Sequence, residues 1–121
     1  MAKERQDEQG ELLKGNTPTL LMAVLQEGPL HGYAIAREIE RRSGDALQLG
    51  EGSLYPALRA LERDGLVISR WEPRPSGPAR KVYELTEAGH RALAARTQSW
   101  RRFVEAVENV LGETPHVQQP T

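Results

Sequence analysis

Between Glu51 and Val67 the chain carries Ser53, Tyr55, Arg59 and Arg63, hydroxyls and guanidiniums at spacings that bring them toward one side of a helix. With no base and orienter to activate them, such groups recognise and do not catalyse. A guanidinium forks onto a guanine edge or a phosphate, and a hydroxyl at the electropositive start of a helix suits a polyanion, so the face fits a DNA major groove. Arg74, Arg80 and Lys81 extend the cationic set further along the chain. Reaction chemistry finds no comparable support. His31, His90 and His116 stand apart without metal-ligand spacing, and His31 is expected as a capping or packing residue. With no cysteine, thiolate sites and disulfides are excluded. No nucleophile, base and orienter assemble, and no glycine loop cradles phosphate, so neither an enzyme nor a cofactor is expected.

These side chains must be held by a scaffold, and the apolar spacing outlines it. Leu54, Leu58 and Leu61 form the core side of a helix from Ser53 to Asp64, with Ser53 as the expected cap, Pro56 in the opening turn and Gly65 ending it in a left-handed conformation. Upstream, Thr17 and Pro18 are expected to start a helix through Leu20, Leu21, Met22, Val24 and Leu25, which Gly28-Pro29 ends. Leu30 to Tyr33 opens a second helix with Ile35, Ala36 and Ile39 inward and Arg37, Glu38, Arg41 and Arg42 outward, stopping at Gly44. After Gly65, β-prone runs Leu66 to Trp71 and Arg80 to Thr86 flank a proline- and glycine-rich tip, an antiparallel hairpin with Tyr83 and Leu85 inward and Trp71 structural. Thr86 caps a long helix from Glu87 to about Leu111, ended by Gly112.

Helix, helix, helix, hairpin, helix is the order of a winged helix-turn-helix. The expected fold is mainly α with a small β-hairpin, plus a long C-terminal dimerisation helix. Its divisions are a flexible N-terminus over 1–10, a DNA-binding domain over 11–86, the dimerisation helix over 87–112 and a disordered tail over 113–121. A chain of 121 residues is one domain by size, and with no secretory or membrane segment it is expected in the cytoplasm. The formal net charge of −1 is low for a DNA binder, but acidic residues crowd the N-terminus while Arg70, Arg74, Arg80 and Lys81 gather at the hairpin.

Four motifs resemble the PadR family of winged-helix transcriptional regulators: Gly-Pro-Leu-His-Gly-Tyr at 28–33, Gly-Ser-Leu-Tyr-Pro-Ala-Leu at 52–58, Leu-Glu-Arg-Asp-Gly-Leu-Val at 61–67 and Gly-Pro-Ala-Arg-Lys-Val-Tyr-Glu-Leu-Thr-Glu-Ala-Gly at 77–89. The single C-terminal helix is similar to the compact branch, which includes multidrug-sensing repressors. Gly15 and Pro18 depart from the family's first helix. The resemblance implies a homodimeric repressor that binds a palindromic operator in double-stranded DNA and releases it when a small molecule binds. Ser53, Tyr55 and Arg59 match the recognition face, and Arg80 and Lys81 match the basic pair of the wing; Arg63 and Arg74 join them on charge and position. Trp100 corresponds to a tryptophan that faces its two-fold copy and stacks planar hydrophobic effectors, the alternative being a plain dimer-core residue.

From the residues themselves, Leu93, Trp100 and Val107 recur every seventh position, with Thr97, Val104 and Leu111 between them, a seam for a second copy. A two-fold dimer sets its recognition helices about 34 Å apart, one DNA turn. Arg59 is placed for either a base or a phosphate. Arg74, Arg80, Lys81 and their copies neutralise about six phosphates, for a log–log salt slope of about −5. The rival reading, a winged-helix module that binds protein and not DNA, offers no reason for cations at the hairpin tip.

Overall fold

The computed structural model describes residues 13 and 15–112; the expected flexible start over 1–10 and the tail over 113–121 lie outside the described residues. In chain order the elements are α1 (Thr17–Leu25), β1 (Leu30–His31), α2 (Gly32–Arg42), α3 (Glu51–Arg63), β2 (Val67–Glu72), β3 (Arg80–Leu85) and α4 (Glu87–Leu111). The mainly helical winged fold expected from the sequence is the fold observed.

The central helix is α1, because it is apolar nearly all round: Leu21, Met22, Val24 and Leu25 are buried, and it meets α2, α3 and α4. Thr17 does not cap it. Asn16 is the N-cap residue, Thr17 is the first helical residue, and its hydroxyl donates to the Leu13 carbonyl at 3.0 Å. Pro18 still falls where an N–H has no helical partner. On α2, Ile35, Ala36 and Ile39 are buried as spaced. Gly44, at φ 60°, closes it by donating to the Arg41 carbonyl while Asp45 donates to Glu40.

Helix α3 begins earlier than its cap chemistry suggests. Gly50 is the N-cap, and its carbonyl takes the N–H groups of Ser53 and Leu54 at 3.1 and 2.9 Å, so Ser53 lies inside the first turn and caps nothing. Pro56 accordingly sits in the second turn, where its missing N–H leaves the Gly52 carbonyl outside the helical ladder. The far end is as read: Gly65 at φ 76° donates to Glu62 and Leu66 donates to Leu61, both carbonyls satisfied by one left-handed residue.

The hairpin gains a third strand. Leu30 and His31, expected to open α2, are instead extended and pair antiparallel with Tyr83 and Val82, giving the order β1-β3-β2. A strand of this length leaves no alternation to read, and His31, with ψ 160°, serves both as strand residue and as helix N-cap.

Thr86 knits the wing to the last helix. Its hydroxyl accepts from the Gly89 N–H at 3.0 Å and donates to the Gly65 carbonyl at 2.8 Å, while its N–H donates to the Leu66 carbonyl at 3.0 Å. Gly89 is required here: a Cβ would run into the Leu66 carbonyl and come within 2.6 Å of Leu85 Cδ1. From this anchor α4 runs 25 residues, about 37 Å of helix. Leu93 is its last core residue. Gly89→Ala should therefore cost about 3 kcal/mol through overpacking, against about 1 kcal/mol for Gly65→Ala, where only the left-handed backbone objects. Urea unfolding of both variants checks the order, and equal losses would contradict it.

Candidate nucleic-acid interface

Leu54, Leu58 and Leu61 turn inward on α3, which leaves Gly52, Pro56, Arg59 and Arg63 outward and exposed, with exposed Ser53 on one flank. The N-terminal half of this face is small and flat, so the helix can approach a groove wall closely before Arg59 and Arg63 reach forward. Tyr55, expected on the same face, is instead half-buried on the other flank. A Cβ on Gly32 would lie 2.8 Å from both Cε1 and the hydroxyl oxygen of Tyr55, so the ring occupies the space that Gly32 leaves and locks the start of α2 against α3. Its ring is a packing element. The direction of a residue at the edge of a helical face is set by its neighbour, here one on another helix.

Charge pairing separates the helices. On α2, Arg41 and Arg42 both reach Glu38, at 2.6 and 2.7 Å, and hold its carboxyl down to about 2; Arg42 also reaches Glu27 at 2.9 Å. Arg37 donates to the Tyr33 hydroxyl at 2.9 Å. These exposed pairs stabilise little, but they leave that face electrically quiet. On α3, Arg59 has no such partner among the described residues, and Arg63 approaches only Asp64, at 3.7 Å.

Register settles the wing. Val67 faces Leu85, Ser69 faces Tyr83 and Trp71 faces Lys81, and directly opposed residues share a face. That face lies against α3: Val67, Tyr83 and Leu85 are buried, and the Ser69 hydroxyl donates to Glu62 at 2.5 Å. Burial pushes the Tyr83 phenol up, with the nearby Tyr55 and Glu62 raising it further and Arg59 opposing them. Arg70, Glu72, Arg80 and Val82 take the opposite face by alternation. Arg80 and Lys81, adjacent in sequence, thus point to opposite sides and do not act as one pair.

Lys81 belongs to the α3 side, its Nζ 5.9 Å from the Trp71 ring centre and 6.0 Å from that of Tyr83. Trp71, expected as a structural residue, is 68% exposed. Arg74 folds back across the tip, its Nε donating to the Pro78 carbonyl at 2.8 Å. Arg80 docks on β1: Nη1 lies 3.1 Å from His31 Nε2, and its Nε is buried without a partner. A guanidinium only donates, so His31 must present a lone pair at Nε2 and carry its proton on Nδ1. The 3.4 Å approach of the Ala34 N–H to Nδ1, by which the His31 side chain caps α2, belongs to the other tautomer, so the neutral ring makes one of the two bonds at a time. Burial first, then the Arg80 and Arg74 charges, lower the His31 pKa, with Glu72 opposing them.

Beyond Leu93 the apolar residues of α4 are uncovered. Trp100 is 45% exposed and Phe103 60%, their rings 6.1 Å apart, and Val110 and Leu111 are still more open, while Val104 and Val107 are half-buried. Leu93 leaves the expected seam: at 4% exposure it belongs to the core of its own domain. Phe103 and Val110 are exposed beside the remaining positions of that expected seam, at the three-residue spacing that a strict sevenfold count passes over. Trp100 also walls a cleft of about 300 Å³ with Leu13, Leu20 and Leu47. Among the described residues no histidine or carboxylate cluster suits a metal, and no helix is long and apolar enough to cross a membrane.

A family model described as the transcriptional regulator PadR-like family matches residues 21–95. A transcriptional regulator of Mycobacterium tuberculosis is 36% identical over 90 residues, 74% of this chain and 78% of that protein. Among solved structures, a PadR family transcription regulator from Clostridium difficile R20291 is similar at 32% identity and TM-score 0.71, over 80% of this chain and 99% of that one. A PadR family regulator from Eggerthella lenta DSM 2243 is similar at 31% identity and TM-score 0.71, over 88% and 86%.

The His31–Arg80 contact carries its own prediction. In the folded protein His31 binds its proton less readily than in the unfolded chain, so it adds stability above the ordinary imidazole pKa that is lost as pH falls through the window down to its lowered value. NMR titration should show His31 below the ordinary range and moving up toward it in Arg80→Ala; a titration unmoved by that substitution would contradict the assignment.

Proposed function

The chain belongs to the PadR-like family of transcriptional regulators, DNA-binding regulators and not enzymes, and from that premise we propose that it is a homodimeric, ligand-responsive repressor acting on a palindromic operator in the cytoplasm. The observation that carries the DNA face is the coincidence of unpaired Arg59 with a flat, small-residue surface of Gly52, Ser53 and Pro56, flanked by Lys81 on the same side of the wing. Arg59 and Arg63 enter the major groove, Ser53 sits at its mouth, and Lys81 meets a phosphate. Arg74 and Arg80 contribute the guanidinium N–H groups not engaged with Pro78 and His31, as braced phosphate contacts. Tyr55 acts by fixing the angle between α2 and α3. A free-standing adaptor would have no use for Arg59 and Lys81 left without acidic partners.

The strip of Trp100, Phe103, Val104, Val107, Val110 and Leu111 supports the dimer. It lies on a stretch of α4 past the last core residue, with members three, four and seven residues apart, the spacing that packs one helix on another. A run of large apolar side chains on an otherwise bare helix is strongly unfavourable in water, and a second copy covers it. Trp100 stands at both the strip and the cleft against α1, so a planar hydrophobic molecule taken up there changes the spacing of the recognition helices through α4. Differential binding to the two spacings is what release of DNA requires.

Arg59→Ala should weaken operator binding by about 1–3 kcal/mol and relax preference at one base pair if Arg59 reads a guanine, whereas uniform weakening across sequences would assign it to a phosphate; unchanged binding would remove Arg59 from the interface. Phe103→Glu with Val107→Glu should leave a monomer in sedimentation. Trp100→Ala should lose most of its affinity for planar dyes, and equal dye affinity in this variant and the wild type would remove Trp100 from the effector site.

A further inference from the structure

We propose that Trp71, held against Lys81 on the recognition-helix side of the wing, is itself a DNA contact that seats its indole on the sugar-phosphate backbone. The inference rests on the DNA-binding reading and adds to it a residue that neither charge nor the recognition face would nominate.

Trp71 is paired across the hairpin with Lys81, one step beyond Ser69 and Tyr83 on the face that packs on α3. The core ends at Tyr83, so Trp71 projects past it and is 68% exposed. Beyond its contact with Lys81, an indole this open gains little burial from its own domain, and water is a poor place for it. Lys81 Nζ lies near 6 Å from both the Trp71 and Tyr83 ring centres, at 5.9 and 6.0 Å, and has no carboxylate partner among the described residues. The opposite face of the wing is different: there Arg70 is neutralised by Glu84 at 3.1 Å, and Arg80 is docked on His31. The wing therefore presents, on the α3 side alone, an unneutralised ammonium resting on an aromatic plate. Arg59 on α3 is near enough to Tyr83 for its charge to oppose the larger raising effect of burial on that phenol.

A partner must supply negative charge for Lys81, an apolar surface for the ring and an acceptor for the indole N–H. The backbone of duplex DNA supplies all of these in sequence, as phosphate and deoxyribose, and a duplex lying along α3 passes this side of the wing.

Backbone contacts do not require the operator, so the test uses a short mixed-sequence duplex at low salt and the full chain. The two tryptophans give separate indole N–H resonances, with Trp71 assigned by its loss in Trp71→Phe. The expected result is a shift of the Trp71 indole signal on DNA addition. Trp71→Ala should bind about tenfold more weakly with an unchanged salt slope, since an indole displaces no counterion, while Lys81→Ala should flatten the slope by about 1 for each phosphate it no longer neutralises. Normal binding with an unmoved Trp71 signal and full affinity in Trp71→Ala would overturn the proposal and leave the DNA reading standing. A salt slope flattened in Trp71→Ala as in Lys81→Ala would also overturn it, reducing Trp71 to a prop for the lysine. A dimer lost in Trp71→Ala, seen by sedimentation, would assign the plate to a second copy of the chain. Failure of the wild type to bind the duplex would remove the premise itself.

Discussion

A single threonine joins the wing, α3 and α4. Thr86 ends the wing, caps α4 and, through its hydroxyl and N–H, grips the carbonyls of Gly65 and Leu66, where the recognition helix stops. With Gly89 admitting no side chain beside Leu66 and Leu85, the end of α3, the base of the wing and the start of α4 form one rigid corner. Packed cores deform in discrete steps and not continuously, so a tilt of α4 is passed to α3 and not absorbed between them. The distance between the apolar cleft at Trp100 and the exposed Arg59 is spanned by this corner.

Two further contacts orient the DNA face on that frame. Tyr55 fills the space above Gly32 and sets α2 against α3, and Glu62 takes the Ser69 hydroxyl and sets β2 against α3. Neither contact contributes much stability alone. Their effect is geometric: with α2 and the wing both fixed to α3, the cations Arg59 and Lys81 stand at a set separation, and in the proposed complex little ordering remains to oppose binding. On α2, by contrast, Arg41 and Arg42 pair with Glu38 and Glu27, and Arg37 with Glu40, so acidic residues are engaged there, which explains how a chain of net charge −1 still shows an anion a cationic edge.

Much of this was legible from local spacing. Leu54, Leu58, Leu61 and Gly65 announce α3 and its end because periodicity and a left-handed stop are properties of one segment, and Thr86 is a cap written just ahead of its helix. What escaped depends on partners distant in the chain. Ser53 resembles a cap but Gly50 starts the helix, since the backbone of the Asp45 to Gly50 link decides where the first turn closes. Leu30 and His31 become a strand only because β3 lies beside them. Tyr55 turns from the groove because Gly32, on another helix, leaves it room. Arg80 and Lys81 read as a basic pair until the strand register sends them to opposite faces. Leu93 fits the heptad, yet the domain's core reaches one turn further along α4 than a count of sevens reveals.

The proposed regulation requires the exposed cationic face of α3 and the wing to bind a duplex as a two-fold pair. The most direct measurement is a salt-dependent titration of the full chain against the DNA just upstream of its own coding region, beside a scrambled duplex of equal length. Tight binding that prefers the native duplex, with a log–log salt slope of about −5 and protection of half-sites about one helical turn apart, is the expected result. Equal, weak binding to both duplexes with a slope near zero would contradict it.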